Sequence, residues 1–75
     1  MEELLKFILE KICTKPEDIK IDKTEENGEI VLTIHANEED KGRIIGKSGN
    51  TIKAIRTILR IPARREEKRV MINVE

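Results

Sequence analysis

The chain has 75 residues, with 15 Lys and Arg balanced by 15 Asp and Glu, and Phe7 is its only aromatic residue. That length fits one domain, residues 1–75, whose 13 Ile, 5 Leu and 3 Val can fill an aliphatic two-layer core but cannot stack on flat ligands. The lone Cys13 and lone His35 exclude an intramolecular disulfide and fall short of the usual zinc sites, so no metal or cofactor is expected.

In chain order, residues 2–14 predict an amphipathic helix, with Leu4, Leu5, Ile8 and Ile12 on one side and Glu2 and Glu3 at its positive end. Cys13 falls among its apolar positions and is expected to be a small core residue. Pro16 stops this helix. Its acids stand where a secretory signal needs positive charge, and no apolar run exceeds three residues, so neither export nor a membrane span is expected. Cytoplasmic residence follows as the expectation.

Residues 18–24 alternate, with Ile19 and Ile21 on one face, and Asn27-Gly28 signals a tight hairpin turn. Ile30, Leu32, Ile34 and Ala36 then alternate with Val31, Thr33 and His35 as a half-buried strand. His35 falls on the face opposite the apolar set, as a surface or edge histidine. Asn37-Glu38-Glu39-Asp40 reads as a capped helix start. That short helix runs into Gly46. A second helix begins near Gly49 and is expected to end at about Leu59, at or before Ile61-Pro62. Residues 68–74 form the last strand, with Val70, Ile72 and Val74 facing inward. The reading is α+β: three strands with the helices packed on one sheet face.

Charge is segregated along this order. Residues 1–40 hold 5 Lys and 12 acids, whereas residues 41–69 hold 10 Lys and Arg and only Glu66 and Glu67 as acids. Such asymmetry points to a polyanion on one face. At the centre of the basic half, Gly46-Lys47-Ser48-Gly49 joins two helices. Glycines admit positive φ and close backbone approach, and unpaired amides at a helix start favour phosphate. A plain glycine-capped turn would also explain a bare GxxG. Here the flanks are basic, with Lys41, Arg43, Lys53, Arg56 and Arg60. On the following helix Ile52, Ile55, Ile58 and Leu59 share one arc, and Lys53, Arg56 and Arg60 another.

A nucleotide-binding P-loop is disfavoured, because Gly42 and Gly46 are separated by three residues where four are required, and the segment before them reads as helix, not strand. Catalysis is not expected either. The acids cluster at helix starts and turns, and no nucleophile has a base beside it.

The segment from Gly42 to Ile55 closely resembles the KH-domain signature I-G-x-x-G-x-x-I-x-x-I, with Ile45, Gly46, Gly49, Ile52 and Ile55 on its fixed positions. The element order resembles the type II (prokaryotic) KH arrangement, α-β-β-α-α-β with a three-stranded mixed sheet. Nearly the whole chain is similar to the KhpA family of stand-alone bacterial KH proteins. It departs at Ile61-Pro62-Ala63, where a run of small residues is expected.

The resemblance implies single-stranded RNA clamped over about four nucleotides, with the backbone on Gly46, Lys47, Ser48 and Gly49, aided by Arg43, Lys53 and Arg56. Ile44, Ile45 and Ile52 would wall an aliphatic groove for bases, beside the last strand near Val70 or Ile72, although each isoleucine also suits the core. Aromatic poverty fits this module better than base-stacking platforms such as RRM or OB folds. The resemblance further implies an RNA chaperone, pairing with itself or with a larger KhpB-like partner in the control of cell elongation and peptidoglycan. The competing reading is a KH-fold protein-interaction module with incidental nucleic-acid binding. Single-stranded DNA stays open as a ligand, and Arg64, Arg65, Lys68 and Arg69 are assigned to RNA or to solvent alike.

Overall fold

The computed structural model describes residues 1–75. Its elements are α1 (Glu2–Ile12), a single 3-10 turn (Pro16–Asp18), β1 (Lys20–Glu26), β2 (Glu29–His35), α2 (Glu38–Ile45), α3 (Asn50–Arg65) and β3 (Arg69–Val74). A second 3-10 turn, Lys47–Gly49, joins α2 to α3. The expected α-β-β-α-α-β order and mixed sheet are therefore present. Strand order is β1-β2-β3, with β1 antiparallel and β3 parallel to the central β2.

Asn27 and Gly28, at φ +51° and +78°, make the two-residue turn that sets Glu26 opposite Glu29. Positive φ at both positions matches the twist of the flanking strands. From that register Ile30, Leu32 and Ile34 all face the helices and are buried, and Val70 and Ile72 lie beside Ile30 and Leu32 in the same layer. Leu5 and Leu9 of α1, Ile44 of α2, and Ile55, Leu59 and Ala63 of α3 complete one core. α1 ends two residues earlier than expected. Its buried pair is Leu5 and Leu9, with Ile8 and Ile12 half-buried and Leu4 36% exposed, so the inward stripe is rotated towards Leu9. Cys13 packs against the core as expected, and burial, then the nearby Asp40 charge, pushes its thiol up.

On the uncovered sheet face His35 Nε2 lies 2.8 Å from Asp22 Oδ2, so the histidine is a surface group with a cross-strand partner. No helix is long and apolar enough to cross a membrane.

One expected boundary is wrong. α3 does not end before Pro62; it continues through Pro62 to Arg65. Proline removes the donor for the Ile58 carbonyl and costs about 3 kcal/mol in a helix interior. Here the last turn buries Ala63 and closes in a Schellman motif, with Glu67 N–H donating to Arg64 O at 3.0 Å and Lys68 N–H to Ala63 O at 2.8 Å. Glu67 takes the left-handed position, φ +57°, usually filled by glycine. Packing and capping at that end offset the proline.

Candidate nucleic-acid interface

The loop owes its shape to two glycines with different duties. Gly46 closes α2, donating its N–H to Gly42 O at 2.8 Å, and turns at φ +75°. A Cβ there would collide with the Thr51 side chain and sit 2.8 Å from the Thr51 backbone nitrogen, so the close approach of α2 to α3 requires glycine. Gly49, at φ +74°, has nothing within 4 Å of where its Cβ would stand. It needs glycine for its backbone angle and leaves open space above α3. Between them Ser48 also has positive φ, +57°, and Lys47 and Ser48 are exposed at the tip.

No side chain caps α3 and its first turn carries no acid. The Asn50 N–H donates to Lys47 O, but no side chain meets the amides that follow, and the positive end of the dipole faces the loop. Of the cations around them, Lys41 pairs with Glu38 at 3.4 Å and three are free. Lys47, Lys53 and Arg56 make no salt bridge, whereas Arg43 reaches Glu39 at 3.8 Å, an exposed i,i+4 pair worth little.

The isoleucines separate by depth. Ile45 is 42% exposed and Ile52 is half-buried, but Ile44 is fully buried. Ile44 therefore cannot wall a groove for bases, because its place in the α2 helix turns it into the core; it supports the site from beneath. Ile58, expected on the buried arc of α3, is 42% exposed, since the core is centred on Leu59 and Ala63 instead.

Two features escaped sequence reasoning. Gly42 lies one turn before Gly46 on the same line of α2, exposed, with nothing within 4 Å of its would-be Cβ. A mid-helix glycine costs about 1 kcal/mol relative to alanine, and no packing in the fold requires this one. The signal was its spacing of four from Gly46. The second feature is a shallow groove between the C-terminal half of α3 and β3, lined by Arg60, Ala63, Arg64, Lys68, Arg69, Val70 and Met71. It exists because α3 outlasts Pro62. Lys68 is committed to Glu25 and Glu66; the hydrogen bond to Glu25 raises its pKa and lowers that of Glu25. Arg60, Arg64, Arg65 and Arg69 make no salt bridge. Lys53, Arg56, Arg60 and Arg64 follow i, i+3, i+7, i+11, a cationic line from the loop to this groove.

The site can thus offer backbone amides, a hydroxyl and mobile cations to phosphates, beside a partly aliphatic wall. No cluster of His, Cys, Asp or Glu in the chain is suited to hold a metal ion.

Comparison with known proteins gives a family. The family model described as "KhpA/KhpB, KH domain" matches residues 2–74. A protein named RNA-binding protein KhpA from Clostridium perfringens is 35% identical over 74 residues, covering 99% of both chains. The protein of that name from Chlamydia pneumoniae is 36% identical, over 99% of this chain and 95% of its own. The one from Thermotoga maritima is 44% identical over 59 residues, 79% of each chain. No solved structure gives a significant match. By the match of residues 2–74 to the family model and the likeness of these relatives over nearly the whole chain, the chain belongs to the KhpA/KhpB family of KH domains.

Proposed function

We propose that this chain is a non-catalytic, cytoplasmic protein that binds single-stranded RNA through Gly46-Lys47-Ser48-Gly49. The observation that carries the reading is the uncapped, acid-free start of α3, opening on a two-glycine loop set among unpaired cations. The names of its relatives, all RNA-binding proteins, point the same way. Phosphates sit on the loop and meet Lys53, Arg56 and Arg43. Bases lie on the bare backbone at Gly42 and against Ile45 and Ile52, towards the edge of β3. Arg60, Arg64 and Arg69 continue the path beyond the loop.

The cellular reading is an RNA chaperone acting with a second KH chain, a copy of itself or a KhpB-like partner, in the control of cell elongation and peptidoglycan. Pairing would raise the avidity of a small footprint. Ala54, Ile58, Ile61 and Arg65 follow a 4-3-4 spacing on α3, and Ile58 and Ile61 are 42% and 59% exposed, a seam suited to a second helix.

The test is fluorescence anisotropy of labelled single-stranded RNA and DNA pools, with light scattering on the same samples. Lys47→Asp/Ser48→Asp should weaken RNA binding about tenfold or more for all sequences and flatten its salt dependence by roughly one unit of slope. Unchanged affinity in the folded variant would remove the loop from the site. A wild type that binds neither pool would leave the protein-interaction reading, and equal binding of both would extend the ligand to DNA.

A further inference from the structure

β1 is an edge strand, and only its start contributes apolar side chains to the helix-covered face. Along that face, opposite Ile34, Leu32 and Ile30, stand Ile21, Lys23 and Glu25. Lys23 reaches up to Glu2 of α1, and Glu25 pairs with Lys68. The helix layer is therefore not sealed against β1. A groove of about 320 Å³ opens there, with the half-buried Ile19 and Ile21 as its floor above the fully buried Leu9, Pro16 beside them, and Glu2, Glu3, Lys6 and Glu10 along its α1 rim.

We propose that this groove docks an extended, basic and aliphatic peptide segment of a partner protein. A strand laid along the free edge of β1 meets its unpaired backbone groups, and its alternate side chains point into the layer beneath α1. Those side chains find the aliphatic floor, which selects branched apolar residues. The charged residues of β1, Lys20, Asp22, Lys23, Glu25 and Glu26, oppose pairing with a hydrophobic strand and so guard the edge against self-aggregation.

Charge then selects the partner. On the rim Glu2, Glu3 and Glu10 stand with Lys6, Lys23 reaching Glu2 alone among them, and the surrounding residues 1–40 carry 12 acids against 5 Lys. A cationic segment is attracted and nucleic acid repelled. None of the lining residues belongs to α2, α3, β3 or the glycine loop, so peptide and phosphate ligands can be held together.

The experiment is a 15N-labelled amide titration of the intact protein with a seven-residue peptide alternating lysine and valine, and with one alternating glutamate and valine. The lysine peptide should shift amides from Glu3 to Glu10 and from Ile19 to Asp22, with a Kd on the order of 100 μM for so small an interface. Glu3→Gln/Glu10→Gln, both on the exposed side of α1, should weaken it several-fold without loss of helix by circular dichroism. RNA anisotropy of that variant should stay at the wild-type value, which keeps this result separate from the loop. Equal binding of the glutamate peptide, shifts confined to the glycine loop, unchanged affinity in the double variant, or no shift at about 1 mM peptide would each overturn the assignment. So would the same shifts appearing on concentrating the protein alone, since they would give the groove to a second copy.

Discussion

α2 and α3 begin only a dozen residues apart, and their first turns are built on opposite plans. At α2, the Asn37 side chain accepts the Asp40 N–H at 2.9 Å, and Glu38, Glu39 and Asp40 place three acids against the helix dipole. Asp40 is fully buried, and its carboxylate accepts the Thr14 N–H at 2.8 Å, the Thr14 hydroxyl at 3.0 Å, the Lys15 N–H at 3.0 Å and the Asn37 amide at 3.1 Å. That start is satisfied from within, and it ties the end of α1 to α2. At α3, Gly49 brings no cap, no acid follows, and the neighbours are cations. The same backbone feature serves cohesion in one place and is left open to a ligand in the other. A helix start that the chain declines to cap is more informative about binding than one it caps well.

The comparison breaks most visibly at Asp40. Asp40→Ala leaves the Thr14 and Lys15 amides without their acceptor and detaches α1 from α2, so the unfolding midpoint should fall by on the order of 10 °C. RNA affinity of the fraction still folded should change little. The same group sets an acid limit. The Thr14 N–H foremost, with the Lys15 N–H, the Thr14 hydroxyl and Asn37, holds its carboxyl below the ordinary value against the cost of burial. A depressed folded pKa contributes stability that is complete above the unfolded value and is lost as pH falls through the folded one. Denaturant midpoints should therefore drop on acidification below about pH 4, and this drop should be smaller in Asp40→Asn, measured against its own neutral-pH value.

A second change gives α3 what α2 has. Asn50→Asp puts an acid at the first helical position, worth about 0.5 kcal/mol of stability through the dipole, while lowering RNA affinity several-fold. Thermal melts and anisotropy on one preparation would show the opposite signs; parallel changes would mean that the α3 start is an ordinary helix end. The smallest effect belongs to Gly42→Ala. Stability should rise by about 0.5–1 kcal/mol, and RNA affinity should fall if bases approach the bare backbone there. A gain in stability with no change in binding would leave that glycine outside the site.

Much of this was legible in the residues because local chemistry decided it. Asn27-Gly28 fixed the hairpin, Asn37 with three acids fixed the start of α2, and alternation placed Ile30, Leu32 and Ile34 inside. The misreadings came where tertiary packing outweighed a local rule. Pro62 should end a helix, but burial of Ala63 and the Glu67 turn carry α3 past it. Ile44 and Ile45 are indistinguishable in sequence, and only the docking of α2 on the sheet hides one and bares the other. The basic groove at Arg60, Arg64 and Arg69 is invisible to a proline rule that ends the helix at Leu59. Likewise Lys68 is set apart from its arginine neighbours only by Glu25, which lies on a distant strand.

The parallel pairing of β2 with β3 bears on the order in which the chain folds. The β1–β2 hairpin is closed by two residues and can form early, on the microsecond scale of isolated hairpins. Ile30 meets Val70 only after α2, the glycine loop and α3 have been laid across the sheet. Such a long crossover pays its loop entropy before its contacts are made. The loop lies midway along that crossover, and its shape depends on Gly46 meeting Thr51 across two docked helices. The proposed ligand site is thus among the last parts of the molecule to exist, and a nascent or partly unfolded chain has a sheet before it has a grip.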